Sequence, residues 1–191
     1  MNIVSAQTAL SASAQGAAGT STLVVLPDRI AASEASATGS AFLTDTPSPK
    51  AITYPRNGKQ GERLGTLSIP ATGQKLPIIQ GTENPDLKQG VGHFMGSVLP
   101  GESDNCVLSA HRDSFFSRLG ELNVGDRLIT ETAAGTFTYK VRRIRIVGAD
   151  DRTVIVPADH AVLTLSTCYP FNYVGNAPKR YIVVADMVTG E

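Results

Sequence analysis

From Arg63 onward, short runs of apolar and β-branched residues alternate with turn residues, and this pattern constrains the fold more than any other feature. Seven runs are candidate strands: RLGTLSIP, QKLPIIQ, NCVLSAH, DRLITET, GTFTYKVRRIRIV, HAVLTLSTC and RYIVVADMV. Runs of this length, separated by segments such as GTENPD and NVGD, are typical of strands joined by tight turns. Since strands and helices do not alternate, the pattern predicts an all-β fold, a closed antiparallel barrel.

One segment, DSFFSRLGEL, has a helical pattern instead. Asp113 or Ser114 is a suitable N-cap. Its apolar residues recur on one helical face: Phe115, Phe116, Leu119 and Leu122. The sequence therefore predicts a short amphipathic helix that begins two residues after His111.

The first 60 residues differ in composition from the rest of the chain. Residues 1–60 are rich in Ala, Ser, Thr and Gly. Such a segment buries too little apolar surface to offset its ordering entropy, so it is predicted to be a flexible N-terminal segment or linker. Residues 61–191 are predicted to form one folded catalytic domain.

The composition excludes several classes of function. Lys plus Arg and Asp plus Glu number 17 each, so no net charge attracts nucleic acid or an anionic membrane. No apolar run approaches the ~20 residues of a membrane span. No cysteine or histidine cluster has zinc-ligand spacing, and scattered acids are weak evidence for calcium. We therefore expect no metal and no cofactor. The acids are Glu102, Asp104, Asp150 and Asp151.

Cys168, at the end of the run AVLTLSTC, is a candidate nucleophile that needs a basic neighbour. His160 lies eight residues earlier on the same predicted strand, ~26 Å away at a rise of ~3.3 Å per residue, and is excluded. His93 lies in a glycine-rich loop with no obvious strand. His111 lies between a predicted strand and the predicted helix, so it is held from both sides and is favoured.

The alternation along this run separates two faces. Leu163 and Leu165 share one face, which predicts a core contact, whereas Ser166 and Cys168 share the more polar one. An inert, buried Cys168 remains open at this point. Cys106 is predicted to be core, with both thiols free. Arg180 opens the next strand, where a guanidinium can bind an oxyanion or lie on the surface.

Three motifs, SAHRDSFF, TLSTCYPF and NAPKRYIV, together resemble those of sortases. They occur in family order, and the similarity extends from about Gly61 to Val188. The segments HRDSFF and TCYPFNYVGNAPKRYIV are most similar to class D sortases. Class C pilin polymerases are next, but the Asp-Pro-aromatic lid motif typical of class C is absent from the sequence.

This resemblance implies an eight-stranded β-barrel with one or two short helices. It also implies that Cys168 attacks the Thr carbonyl of an LPxTG-like sorting signal and that an amine resolves the thioacyl-enzyme. His111 would transfer protons, and Arg180 would bind the signal backbone and the oxyanion. Neighbouring candidates for substrate contact are Ser166, Thr167 and Asp113, although helix capping is an alternative role for Asp113.

The resemblance further implies an extracytoplasmic enzyme, anchored to a membrane by a segment that this sequence does not contain. Its expected partners are a surface or pilin protein that bears the sorting signal and an amine acceptor such as a cell-wall precursor, with no nucleic acid. Three alternatives stay open: a pilin-polymerising enzyme, a hydrolytic cysteine protease, and a non-catalytic barrel with Cys168 in its core.

Overall fold

The computed structural model describes residues 52, 54 and 58–188, and the predicted flexible segment lies almost entirely outside them. The barrel strands are β1 Arg63–Ile69, β2 Gln74–Gln80, β3 Val91–His93, β4 Asp104–Ser109, β5 Arg127–Thr132, β6 Gly135–Gly148, β7 Ala161–Tyr169 and β8 Lys179–Met187. The described residues also contain one short α-helix, α1 Asn84–Leu87, and 3₁₀ helices at Pro70–Thr72 and Leu119–Glu121. None of the described helices is long and apolar enough to cross a membrane.

The strands close into a barrel in the order β1-β2-β3-β4-β7-β8-β6-β5. This confirms the predicted all-β, eight-stranded barrel, but the sheet is mixed. The pairs β2–β3 and β4–β7 are parallel, whereas the other pairs are antiparallel. Parallel neighbours need a crossover connection, which α1 supplies for the first pair and the hairpin β5–β6 for the second.

The interior of the barrel is filled by alternate residues of the strands. Leu163 and Leu165 of β7 are fully buried there and pack in one cluster with Leu67, Leu128 and Val183. The predicted core face of β7 is thus confirmed. Cys106 belongs to the same cluster, where burial raises the pKa of its thiol and keeps it protonated.

The face of β7 that carries Ser166 and Cys168 is covered at the start of the strand. Val162 and Thr164 are buried beneath the connection of residues 149–160, and Val162 packs there with Val154 and Val184. A bulge between Val141 and Arg143 in β6 reverses the alternation of that strand. The exposed part of this face therefore begins only at Ser166.

Two local predictions were wrong. Residues 112–118 form successive turns rather than an α-helix, with amides bonding to carbonyls three or five residues back, as in Phe116 to His111. Their apolar side chains still reach the core, so burial was predicted correctly and backbone conformation was not. His93 lies in a strand, β3, which at three residues is too short for a periodic signal.

Candidate active site

Three strands bring the predicted catalytic residues to one end of the barrel. In the antiparallel pair β7–β8, Cys168 lies directly opposite Arg180. In the parallel pair β4–β7, Ser109 is the partner of Ser166, and His111 and Cys168 each follow two residues later. Opposed residues on neighbouring strands have Cβ atoms about 4.5–5.5 Å apart, so this end of the sheet gathers a thiol, an imidazole and a guanidinium.

Hydrogen bonds beyond the end of β4 hold the backbone beside His111. The Ala110 amide donates to the Ser166 carbonyl oxygen at 3.3 Å, and the Thr167 hydroxyl donates to the Ala110 carbonyl oxygen at 2.7 Å. The His111 carbonyl oxygen then accepts the amides of Ser114 and Phe116. The backbone of His111 is thereby fixed on both sides, as the sequence predicted, though by turns rather than a helix.

These contacts separate the roles of the predicted substrate-contact residues. Thr167 is 3% exposed and its hydroxyl donates to the Ala110 carbonyl oxygen, so its side chain supports residues 110–118, here called the His111 segment. Ser166 is half-buried on the face of Cys168. Asp113 is exposed and caps no helix. Substrate contact by Thr167, Ser166 or Asp113 stays a prediction.

Cys168 is half-buried and free, at the accessible end of β7, whereas Cys106 is a free thiol inside the barrel. Arg180 is also half-buried. Its Nη1 donates to the carbonyl oxygens of Ala177 and Lys179 at 3.2 and 3.0 Å. A guanidinium has five N–H donors, so Nε and Nη2 remain for a ligand at Cys168.

The other two histidines are not at the end of the barrel that carries Cys168: His160 lies at the opposite end of β7, and His93 is buried. His160 lies before the first residue of β7, at the opposite end from Cys168, and contacts Asp159 and Asp186. His93 is 1% exposed, and its ring nitrogens lie 2.6 Å from Gln80 and 2.9 Å from the Val98 carbonyl oxygen. Burial lowers the pKa of His93, so its ring is neutral and has a structural role.

Three of the four acids considered as calcium ligands accept hydrogen bonds from protein groups. Glu102 accepts the Leu99 amide, Asp104 accepts the amides of Asn105 and Ala158, and Asp151 accepts Thr153. Within residues 58–188 no three such side chains converge as a metal site.

Sequence reasoning missed two features of this end. An aromatic cluster lies beside the predicted catalytic residues, with ring centroids 5.2 Å apart for Phe171 and Tyr181 and 6.0 Å for Tyr169 and Tyr181. Arg112, next to His111, donates to backbone carbonyls of the loop that joins β7 to β8. The adjacency of Arg112 to His111 was visible in the sequence, but its long-range partners were not.

Known proteins resemble this chain in sequence and structure. A sortase domain model matches residues 67–188. Sortase D of Bacillus subtilis is 44% identical over 154 residues, which cover 80% of this chain and 76% of that protein. The crystal structure of Streptococcus agalactiae sortase C1 has a TM-score of 0.64 at 31% identity and covers 68% of this chain and 69% of its own. Sortase C from Clostridium perfringens has a TM-score of 0.62 at 34% identity, covering 69% of this chain and 72% of its own.

Proposed function

Because the chain belongs to the sortase family, whose members are cysteine transpeptidases, we propose that Cys168 is its nucleophile, His111 its proton-transfer residue and Arg180 its oxyanion-binding residue. The observation that supports this assignment is the strand register. Cys168 lies opposite Arg180 on β8, and His111 follows β4 at the same level. Cys106 is no alternative nucleophile, since it is 1% exposed.

Acylation begins with the Cys168 thiolate and a protonated His111. The sulfur attacks the carbonyl carbon of the Thr residue in an LPxTG-like signal, forming a C–S bond and placing negative charge on the carbonyl oxygen. Nε–H and Nη2–H of Arg180 bind this oxyanion. The C–N bond then breaks as His111 gives its proton to the departing amine, which leaves a thioester on Cys168.

Deacylation runs through the same groups in reverse. The now neutral His111 removes a proton from the incoming amine as its nitrogen attacks the thioester carbonyl. Arg180 again binds the oxyanion, and collapse breaks the C–S bond. The products are a new amide, the Cys168 thiolate and a protonated His111, so the starting state is restored. Water in place of the amine gives hydrolysis.

Sortases act outside the cytoplasm on proteins that bear sorting signals, pilins among them. For this chain we propose a surface protein as donor and a cell-wall precursor amine as acceptor, at the cell surface. Membership of the sortase family, whose known role is cell-wall anchoring, supports this choice. A lysine of a pilin subunit is the second candidate acceptor, supported by the structural similarity to sortase C2 of a Group B Streptococcus pilus island, at 28% identity and a TM-score of 0.62.

A peptide assay tests the proposal. The protein is incubated with a panel of LPxTG-like peptides, with and without an amine nucleophile, and the products are weighed by mass spectrometry. We expect cleavage after Thr, with the amine incorporated into the amino-terminal fragment. Cys168→Ala is expected to lower the rate by at least about a thousandfold. Full activity in this variant would exclude the nucleophile, and products that never contain the amine would favour a hydrolytic protease.

A further inference from the structure

Arg112 connects the His111 segment to the loop of residues 170–178, here called the β7–β8 loop. Its Nη2 donates to the carbonyl oxygens of Tyr173 and Gly175 at 2.6 and 3.0 Å. Gly175 has a φ of 94°, a conformation that favours glycine, and it lies at the turn whose carbonyls Arg112 binds. No carboxylate among the described residues pairs with Arg112, so this guanidinium binds the loop backbone instead of an acid.

Packing does little to fix the tip of this loop. Val174 is 96% exposed and Tyr173 is 45% exposed. The base is better held, because Phe171 packs against the barrel core and closely approaches Gly120. A loop with so little buried surface samples open positions unless polar contacts restrain its tip.

The β7–β8 loop begins next to one proposed catalytic residue and ends next to another. Cys168 lies two residues before it, and Arg180 follows two residues after Pro178. The carbonyl oxygen of Ala177, inside the loop, accepts a hydrogen bond from Arg180. Displacement of the loop therefore alters both the wall beside the thiol and the orientation of the guanidinium.

We propose that Arg112 is a positioning residue, which holds the β7–β8 loop against the His111 segment so that the sorting signal and Arg180 meet at Cys168. This role rests on the function proposed above. Arg112 contacts neither the thiol nor the imidazole in this arrangement and acts through the loop. An ammonium group can donate to both carbonyl oxygens, so lysine is expected to replace arginine in part.

Kinetics of three variants test this role. Arg112→Gln is expected to lower kcat/KM for a sorting-signal peptide by about tenfold, and Arg112→Lys by about threefold. Arg118→Gln is the matched control, because Arg118 lies in the same segment and also donates to a backbone carbonyl, that of Thr72. It should stay within about twofold of the unchanged protein. Alkylation of Cys168 by iodoacetamide should change by less than about twofold in all three, since this small reagent needs neither a bound signal peptide nor an oriented Arg180.

Amide hydrogen exchange measures directly how often the β7–β8 loop opens. In Arg112→Gln, amides of residues 172–176 should exchange about tenfold faster, while those of β4 and β7 keep their rates. Unchanged exchange in the loop would overturn the proposal, as would faster exchange with unchanged kcat/KM. If the unchanged protein cleaves no sorting-signal peptide, the proposed function fails, while the exchange rates still decide whether Arg112 positions the loop.

A double-mutant cycle separates the loop from a direct effect on His111. Gly175→Ala strains the turn, yet the added Cβ meets no atom within 4 Å, so its effect is confined to backbone conformation. With the turn already displaced, Arg112→Gln should cost less than about threefold further in kcat/KM. Full additivity of the two changes, or a shifted pH profile in Arg112→Gln alone, would show that Arg112 acts on the histidine and would overturn the proposal.

Discussion

The connections on either side of β7 are held to the barrel in different ways. The longer one, residues 149–160, crosses the outer face of the sheet and is bound by the buried Asn105 and the half-buried Asp104. Asn105 donates to the Val156 carbonyl oxygen at 3.0 Å, and the Asp104 carboxylate accepts the Ala158 amide at 2.8 Å. The tip of the β7–β8 loop is bound instead by Arg112, whose hydrogen bonds lie in contact with water.

This difference assigns the two connections different mechanical roles. A buried hydrogen bond has no water to replace it, so loss of a partner costs the full desolvation of the group left behind. The loss of an exposed one is partly offset by hydrogen bonds to water, so it costs less. The 149–160 connection is therefore a fixed wall that belongs to the fold, whereas the tip of the β7–β8 loop can open without unfolding the barrel once the Arg112 hydrogen bonds are broken.

The largest effect on stability is expected from a variant that removes the hydrogen bonds of the fixed wall. Asn105 is buried, and besides donating to Val156 it accepts the hydroxyl of the fully buried Thr164 at 2.8 Å. Asn105→Ala leaves the buried Thr164 hydroxyl without its acceptor and removes the donor to the Val156 carbonyl, so it should lower the free energy of unfolding by about 1–3 kcal/mol, measured by denaturant titration.

The control for this variant is Asn123→Ala. Asn123 is exposed, and its side chain donates to the Glu121 carbonyl oxygen at 3.2 Å. Its loss should cost no more than about 0.5 kcal/mol. Equal destabilisation by the two alanine variants would contradict the distinction between a fixed wall and an openable loop.

A smaller effect is the pH dependence of folding stability that His160, at the end of the fixed wall, contributes. His160 bonds to Asp159 and to Asp186, which also pairs with Arg142, and the two carboxylates raise the pKa of His160. A raised folded-state pKa means that stability is full below the unfolded pKa of about 6.5 and is lost as pH rises through the higher folded value. Because these groups are exposed, the change should be small.

Urea unfolding at acidic and mildly alkaline pH measures this contribution. The unchanged protein should lose slightly more stability as the pH rises than His160→Gln, which cannot titrate at this position. An identical pH dependence in the two proteins would show that the histidine does not fasten the connection.

Seven of the eight strands were predictable because each has six residues or more that alternate between apolar and polar or are mostly apolar. β3 was missed because three residues carry no period. The turns after His111 were mistaken for a helix because the same apolar spacing occurs in both. They differ from a helix in their backbone hydrogen bonds, which link residues three or five apart instead of four. The parallel pairing of β4 with β7 depends on contacts between distant residues, for which one sequence has no signal.

The candidate site was predictable in identity but not in arrangement. The distance along the predicted strand excluded His160 as the partner of Cys168. The resemblance of the motifs to those of sortases indicated Cys168, His111 and Arg180. Cys168 lies opposite Arg180 because of the register of the antiparallel pair β7–β8. The sequence does not predict this register, because the loop of residues 170–178 that joins the two strands is long. The binding of that loop by Arg112, 61 residues before Tyr173, follows only from tertiary structure.

The central claim is that Cys168 forms the thioacyl-enzyme, and intact-mass analysis tests it most directly. The chain has two cysteines, so Cys106→Ala and Cys168→Ala form a matched pair. After mixing with a cleavable sorting-signal peptide, the unchanged protein and Cys106→Ala should gain the mass of the fragment ending in Thr, and Cys168→Ala should gain none. An adduct on Cys168→Ala, or its loss in a folded Cys106→Ala, would contradict the account.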